Sequence, residues 1–323
     1  MNGRERRVVG NTPLAVSRLG IGGGSLANLS GDDGVRTLLN FCWEQGLRYF
    51  DTAPLYAAGA SEMRFGTGLK GRPRDQFVLS TKLGRFVHEG REAFDYTASG
   101  AAGSIEQSLE RLGLERIDIV FIHDVTPAIH GDAFERQFAA AMAGAYPYLA
   151  DLRARGVIGA IGVGMADAEV SLRFARAGQF DCFMLAGGYT LLEHASLDTL
   201  LQHCAGSGTS VMVAAPFNTG ILATGAVEGA RYFYRAAPAD VLARTARIED
   251  FCRRHGVRLA AAALQFPLAH PAVVSVVTGH QSPDEVTANL DLLAEPIPPK
   301  LWQDLKSAHL LPTHAPTPRP GDT

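Results

Sequence analysis

Residues 50–62 read FDTAPLYAAGASE and continue the strand-like run that starts at Leu47. An apolar pattern stops at a carboxylate, Asp51. A phenol, Tyr56, stands five residues further on, in a loop of small residues. The same kind of ending recurs twice: FVLSTK (77–82) finishes in Lys82 and IDIVFIH (117–123) finishes in His123. In a parallel barrel all three C-terminal tips share one face, and that face carries the active site.

Outward from these three runs, LGIGGG (19–24), AIGVG (160–164), DCFML (181–185), VMVAAP (211–216) and VVSVV (273–277) also read as buried strands. Helical faces alternate with them. Val35, Leu38, Leu39, Cys42 and Trp43 keep the i, i+3, i+4, i+7, i+8 spacing, Leu197, Leu200, Leu201 and Cys204 repeat it, and Ile105, Leu109 and Leu112 follow it more loosely. Gly46, Gly113, Gly178 and Gly256 stand where left-handed C-caps are expected. Eight strands joined by helical crossovers predict an α/β fold, a (β/α)8 TIM barrel, with a doubly wound sheet as the alternative. RRVVGNTPLAVSRLG, ahead of the first unit, predicts a short N-terminal β-hairpin turning at Gly10-Asn11 and closing the bottom of the barrel. Residues 1–311 are read as one catalytic barrel domain, and the proline-rich residues 312–323 as a disordered tail.

Of the 323 residues 46% are hydrophobic, enough for one large core, and a net charge of −3 with interspersed signs argues against nucleic-acid or membrane-surface partners. Cys42, Cys182, Cys204 and Cys252 are far apart and form no CxxC pair, so no metal site and no disulfide framework is expected. With no signal-peptide pattern and no membrane-length apolar stretch, a cytoplasmic location is expected.

Neighbouring strands lie about 4.8 Å apart, so side chains on adjacent tips can meet. A free tyrosine has a pKa of about 10, and a neighbouring ammonium favours the phenolate. Lys82 can supply that charge, Asp51 can hold it, and His123 can hydrogen-bond a substrate oxygen. Tyr56 then becomes a general acid–base with its pKa moved towards neutrality. Taken singly, Asp51 reads as a cap, Tyr56 as a packed loop residue, Lys82 as a solvated charge and His123 as a core histidine. Their convergence on one rim favours a site. A Schiff base on Lys82, as in a lyase, is a second catalytic reading.

FDTAPLYAAGASE, VLSTKLGR and IDIVFIHD together resemble the aldo-keto reductases, over about residues 18–293. The resemblance implies a (β/α)8 barrel and a catalytic tetrad matching Asp51, Tyr56, Lys82 and His123. Within the family, SLERLGLERIDIVFIHD, AYPYLADLRARGVIGAIGVG, LAGGYTLLEH, PFNTGILATG and AAALQFPLAHP are most similar to the aldose (L-fucose or D-threo-aldose) 1-dehydrogenases. Pyridoxal 4-dehydrogenases and L-galactose dehydrogenases are near relatives. Gly188 stands where many members carry an Arg before the tyrosine of this motif.

GGGSLA (22–27) matches a Rossmann fingerprint, but NLSGDDG follows where a helix should start, so the match is rejected and Gly22 is read as allowing close backbone approach at the barrel mouth. TGHQSPDEVTANL (278–290) is the better cofactor segment: a strand end, a turn and a helix starting at Pro283, a place where anions bind. The resemblance implies nucleotide contacts from Gly279, His280, Glu285 and Asn289. Glu285 stands where NADP-preferring members carry an Arg, which favours NAD, with NADP possible. Glu285 as a simple first-turn acid is an equal reading. The resemblance also implies that Phe217 stacks on the nicotinamide, that Asn218, Gly220 and Ile221 form a pyrophosphate loop, and that Gly164 and Met165 replace a carboxamide-binding Ser-Asn pair.

The expected activity is NAD(P)-dependent oxidation of an aldose at C1 to a lactone, with Tyr56 as base and a small sugar, aldehyde or hemiacetal as partner. Pyridoxal or L-galactose oxidation, a cofactor-binding redox-sensing or scaffold subunit, and the Lys82 lyase are the alternatives. His88, Tyr96, Tyr189 and Tyr234 are candidate substrate contacts.

Overall fold

The computed structural model describes residues 1–26, 29 and 31–319. Strands β1 (Arg6–Val8) and β2 (Ala15–Ser17) pair antiparallel as the expected hairpin. The chain then builds β3 (Leu19–Gly22), β4 (Tyr49–Asp51) and β5 (Val78–Leu83), makes a hairpin from β6 (Arg85–His88) and β7 (Arg91–Phe94), and continues with β8 (Ile117–His123), β9 (Ile158–Met165), β10 (Cys182–Ala186) and β11 (Ser210–Ala214). A two-residue-per-strand hairpin, β12 (Arg231–Tyr232) and β13 (Arg235–Ala236), precedes β14 (Val273–Gly279). Strands β3, β4, β5, β8, β9, β10, β11 and β14 close in chain order into an eight-stranded parallel barrel. All eight predicted runs are barrel strands, and a (β/α)8 barrel replaces the doubly wound alternative.

Two apolar layers follow from the period of two in each strand. Tyr49, Val78, Ile119, Phe121, Ala160, Cys182, Met184 and Met212 fill the barrel interior, together with Val9 and Val16 from the N-terminal hairpin. Phe50, Leu79, Val120, Ile122, Ile161 and Val163 face outwards and join the helix-packed core, which includes Val35, Leu38, Leu39 and Cys42 from the helix Gly31–Glu44. The hairpin caps the lower end of the barrel: Gly10 N–H donates to Ser210 Oγ at 2.8 Å, and Ser275 Oγ donates to the Ser17 carbonyl at 2.9 Å. All four cysteines are buried thiols. No helix among the described residues is long and apolar enough to cross a membrane.

Three local expectations are corrected. The helix Gly31–Glu44 begins inside the stretch expected to break helices, because Asp32 and Asp33 suit a first helical turn; Ala27, which completes the fingerprint match, lies outside the described residues with Asn28 and Ser30. Gly46, Gly113 and Gly256 have positive φ, but Gly178 is extended, and a Cβ there would stand 2.9 Å from Tyr146 Cζ, so its role is close packing. Residues 312–319, expected to be disordered, pack instead. Leu311 and Ala315 are buried, Lys306 Nζ donates to the Ala315 carbonyl at 2.7 Å, and His314 Nε2 lies 2.8 Å from Asp198 Oδ1. Apolar anchoring there outweighs proline-rich composition; residues 320–323 lie outside the described residues.

The turn from β5 into the β6–β7 hairpin depends on Gly84. Its φ is +91°, and a Cβ would stand 2.1 Å from Tyr96 Cε1. Gly84→Ala combines a left-handed penalty with overpacking, and we expect a loss of about 2–4 kcal/mol in urea unfolding. Wild-type stability in that variant contradicts this packing.

Candidate active site

The strand alternation that fills the barrel also aims the polar tips. Tyr49 points inwards from β4, so Asp51, two residues on, does too. Val78 leads through Ser80 to Lys82 on β5, and Ile119 and Phe121 lead to His123 on β8. The register sets Asp51 beside Ser80, Lys82 beside Phe121 and His123 beside Gly164. Three ionisable groups therefore enter one mouth.

Lys82 Nζ donates to Asp51 Oδ2 at 2.7 Å and to the Thr52 carbonyl at 2.8 Å, and both side chains are almost wholly buried. Asp51 Oδ1 accepts from Ser80 Oγ at 2.7 Å, and Ser80 Oγ lies 3.1 Å from the Tyr49 hydroxyl. Burial works against the ammonium, but Asp51 and then Tyr56 outweigh it and Lys82 ends above its ordinary pKa. The ammonium lies 4.8 Å from the centroid of the Tyr56 ring. Burial pushes the Tyr56 phenol up, Lys82 pulls it down, Asp51 pushes it up, and the net direction is upward. This corrects the expectation of a near-neutral phenol: burial, which a sequence does not display, exceeds the pull of the lysine.

The rest of the FDTAPLYAAGASE stretch holds the loop that presents Tyr56. Thr52 Oγ1 lies 2.8 Å from Ser61 Oγ, which donates to the Gly23 carbonyl at 2.9 Å. Glu62, wholly buried, accepts from Thr81 Oγ1 and from Arg111 Nε, both at 2.6 Å. The loop and the helix Ala60–Leu69 are thus bolted to the tips of β3, β4 and β5. Between them Ala57 and Ala58 take left-handed φ values of 50° and 52°, strained for residues with a Cβ.

The Tyr56 and His123 rings meet edge to face with centroids 6.1 Å apart. Burial lowers the His123 pKa to about 3, with Asp124 opposing it. The Nε2 of neutral His123 lies 3.2 Å from Asp124 Oδ2, and its Nδ1 is buried without a partner. Tyr96 supports the strand end, donating to the His123 carbonyl at 2.7 Å.

A cavity of about 440 Å³ opens over this cluster. Tyr56, Lys82, His123, Gly164 and Met165 line it, as do Arg85, Asp124, Phe233 and Tyr234. Arg85 and Asp124 were not singled out from sequence, although each ends a stretch that carries the resemblance, VLSTKLGR and IDIVFIHD. Of the four candidate substrate contacts, only Tyr234 reaches the cavity. Tyr96 lies beneath it, Tyr189 is wholly buried, packed on Phe266 at 5.1 Å, and His88 is exposed on the β6–β7 hairpin. The space of the missing Arg at Gly188 is taken by Leu185, whose Cγ would stand 2.8 Å from a Cβ.

Apart from Gly164 and Met165, which line the cavity, the expected cofactor residues fall into two groups beyond it. Phe217, half-buried, and Gly220, with φ +107° and open space where a Cβ would be, follow β11. Asn218 and Ile221 lie on the same turn with their side chains engaged in the protein. The Asn218 amide is engaged by Thr190 Oγ1 at 2.5 Å and by the Gly187 carbonyl at 3.1 Å, and Ile221 is wholly buried in the core. Only their backbones can serve a ligand. In the second group, Gly22 pairs with Gly279 across β3 and β14. His280 is buried; Asn289 Nδ2 donates to its Nε2 at 2.9 Å, so its proton sits on Nδ1, which has no partner. Ser282 Oγ caps the Glu285 N–H at 3.3 Å, and Glu285 Oε2 accepts from the Gln281 N–H at 2.8 Å. Ser282 thus caps one N–H of the first turn, and Glu285 ties the turn before it to the helix end expected to bind an anion.

Removing one partner of the Lys82–Asp51 pair leaves a buried charge alone. Lys82→Met is expected to lose about 3–5 kcal/mol in chemical unfolding, and adding Asp51→Asn to recover a large part of it. A single variant as stable as wild type, or strictly additive losses, contradicts the pair's role.

Comparison with known proteins agrees with this geometry. The model of the aldo/keto reductase family matches residues 18–309. The chain is 39% identical to a D-threo-aldose 1-dehydrogenase from Pseudomonas sp, covering 93% of this chain and 96% of that protein. It is 35% identical to a pyridoxal 4-dehydrogenase from Microbacterium luteolum, covering 95% and 98%. The holo form of an aldo-keto reductase from Bacillus halodurans superposes with a TM-score of 0.73 at 27% identity, covering 94% of this chain and 95% of that one. An eight-stranded parallel barrel, four convergent side chains at its mouth and a family match across nearly the whole chain lead to one conclusion: this chain belongs to the aldo/keto reductase family.

Proposed function

We propose that this oxidoreductase oxidises a neutral aldose at C1 to the lactone, with NAD preferred over NADP. One observation carries the reading: a buried ammonium, pinned between Asp51 and the Thr52 carbonyl, lies against the ring of Tyr56. An ammonium so placed stabilises phenolate and disfavours a second positive charge nearby.

Tyr56 takes the proton of the C1 hydroxyl during oxidation and returns it to the oxygen in the reverse direction. Lys82 stabilises the phenolate, and Asp51 keeps Lys82 charged. A charged lysine is a poor nucleophile, which weighs against the Schiff-base alternative. Neutral His123 orients the substrate oxygen from Nε2. A bound nicotinamide nucleotide supplies the hydride acceptor. Phe217, the open backbone at Gly220 and the unpartnered Nδ1 of His280 are compatible with holding that nucleotide. Glu285 puts a negative charge where a 2′-phosphate would need a cation, and a side chain at Gly279 would press on Ser25 Oγ, 2.7 Å from a Cβ. These features support NAD.

Similarity to the aldose dehydrogenase supports a sugar. The aromatic Phe233 and Tyr234 on the cavity wall, with the similarity to the pyridoxal enzyme, favour pyridoxal as the second reading. Absorbance at the NADH band with L-fucose, D-arabinose, L-galactose and pyridoxal, against NAD and NADP, tests both. We expect saturable NADH formation from at least one aldose, faster than NADPH formation; the absence of turnover with every sugar contradicts the reading.

The raised phenol pKa fixes the sign of the pH dependence. Oxidation needs the deprotonated form, so kcat/KM is expected to keep climbing through the alkaline range, past the ordinary tyrosine pKa of about 10, while reduction, which needs the protonated form, stays level below it. Tyr56→Phe should lower kcat in both directions by about 10²–10⁴ and leave nucleotide binding intact. An oxidation rate already level at neutral pH, or a Phe variant within a few fold of wild type, contradicts Tyr56 as the proton carrier.

A further inference from the structure

Arg85 and Asp124 occupy the cavity wall, and the proton transfer just described uses neither charge. Asp124 follows His123 with a left-handed φ of 55°, and its N–H donates to the Gly164 carbonyl at 3.0 Å. This bend turns the carboxylate back to the mouth. Oδ2 accepts from Arg85 Nη1 at 2.6 Å and lies 3.2 Å from His123 Nε2. Arg85 is held from the other side by Glu92, whose two oxygens lie 3.0 and 2.9 Å from Nη2. Among the described residues no hydrogen bond is made to Oδ1.

The surroundings sharpen the point. Leu55, Ile129, Met165 and Met184 make much of the wall apolar, with the aromatic rings of Phe233 and Tyr234 beside them. A carboxylate in such a wall contributes little to stability, since loss of hydration offsets the ion pair. A carboxylate whose orientation is fixed by an arginine is, however, a strong directional acceptor for a hydroxyl. The positive charge of Arg85 is already shared between Asp124 and Glu92, so the wall has no spare cation for a phosphate or carboxylate. Oδ2 lies 3.2 Å from His123 Nε2, so the carboxylate lines the cavity close to where the reacting oxygen would be held.

We infer that Asp124, steered by Arg85, is a specificity-determining residue that accepts a hydrogen bond from the hydroxyl on the carbon next to the reacting one. The inference rests on the dehydrogenase reading above and names the feature of the substrate that this wall selects: a neutral α-hydroxylated carbonyl or hemiacetal.

The test compares the best aldose among L-fucose, D-arabinose and L-galactose with its 2-deoxy counterpart, for wild type, Asp124→Ala and Arg85→Met. Wild type is expected to favour the full sugar by about 30-fold or more in kcat/KM, as a site built around a hydroxyl does. Asp124→Ala should bring the ratio below about 3-fold, through loss on the full sugar alone. Arg85→Met, which keeps the carboxylate but frees it, should give an intermediate ratio and answers the question if the alanine variant does not fold. Nucleotide binding, followed by fluorescence, should be the same in all three. Equal wild-type rates on the two sugars, or variants that slow both sugars equally and keep the ratio, overturn the inference and leave the dehydrogenase reading standing. No oxidation of any sugar by wild type defeats that reading, and the inference with it.

Discussion

An ammonium withdrawn from water needs a fixed counterion, and here that counterion is Asp51, 2.7 Å from Lys82. The pair is nearly dry, so its attraction is large and its loss of hydration is large as well; neither side chain is tolerable there without the other. This constraint reaches downwards into the barrel. Asp51 is held by Ser80, and Ser80 lies against the Tyr49 hydroxyl, so a polar layer rests on the apolar filling of the barrel. Closing eight parallel strands in this register is what brings the tips of β4 and β5 side by side.

The same constraint reaches outwards into the loop that carries Tyr56. A phenol has to be held against the ammonium if the charge is to act on it. The loop achieves this with two ties, Thr52 through Ser61 to Gly23, and Thr81 through Glu62 to Arg111. The left-handed Ala57 and Ala58 are then tolerated because the flanking residues are fixed. The conspicuous small-residue stretch after Asp51 is therefore a mount for one side chain.

Much of this was legible before any coordinates, for a definite reason. Buried parallel strands read as apolar runs, and the period of two carries each run to a tip whose direction is set by the residues before it; Asp51, Lys82 and His123 follow from Tyr49, Val78 and Phe121. Contacts that need two separate loops left no such trace. Arg85 and Asp124 meet only because Gly84 and the left-handed Asp124 turn their chains back on the mouth. Resemblance aligned Asn218 and Ile221 with cofactor residues, but alignment carries no information on burial, and both side chains serve the protein itself. The sign of the Tyr56 shift was missed for the same cause: desolvation is a property of the packed site.

The central claim is electrostatic: the charge on Lys82 governs the phenol of Tyr56. It is tested most directly by titrating Tyr56 with ring-labelled tyrosine NMR in wild type and in Lys82→Met, with Tyr56→Phe spectra to assign the resonance. The account predicts a phenol that ionises at clearly higher pH once the ammonium is gone. The same ionisation midpoint in both proteins would contradict it.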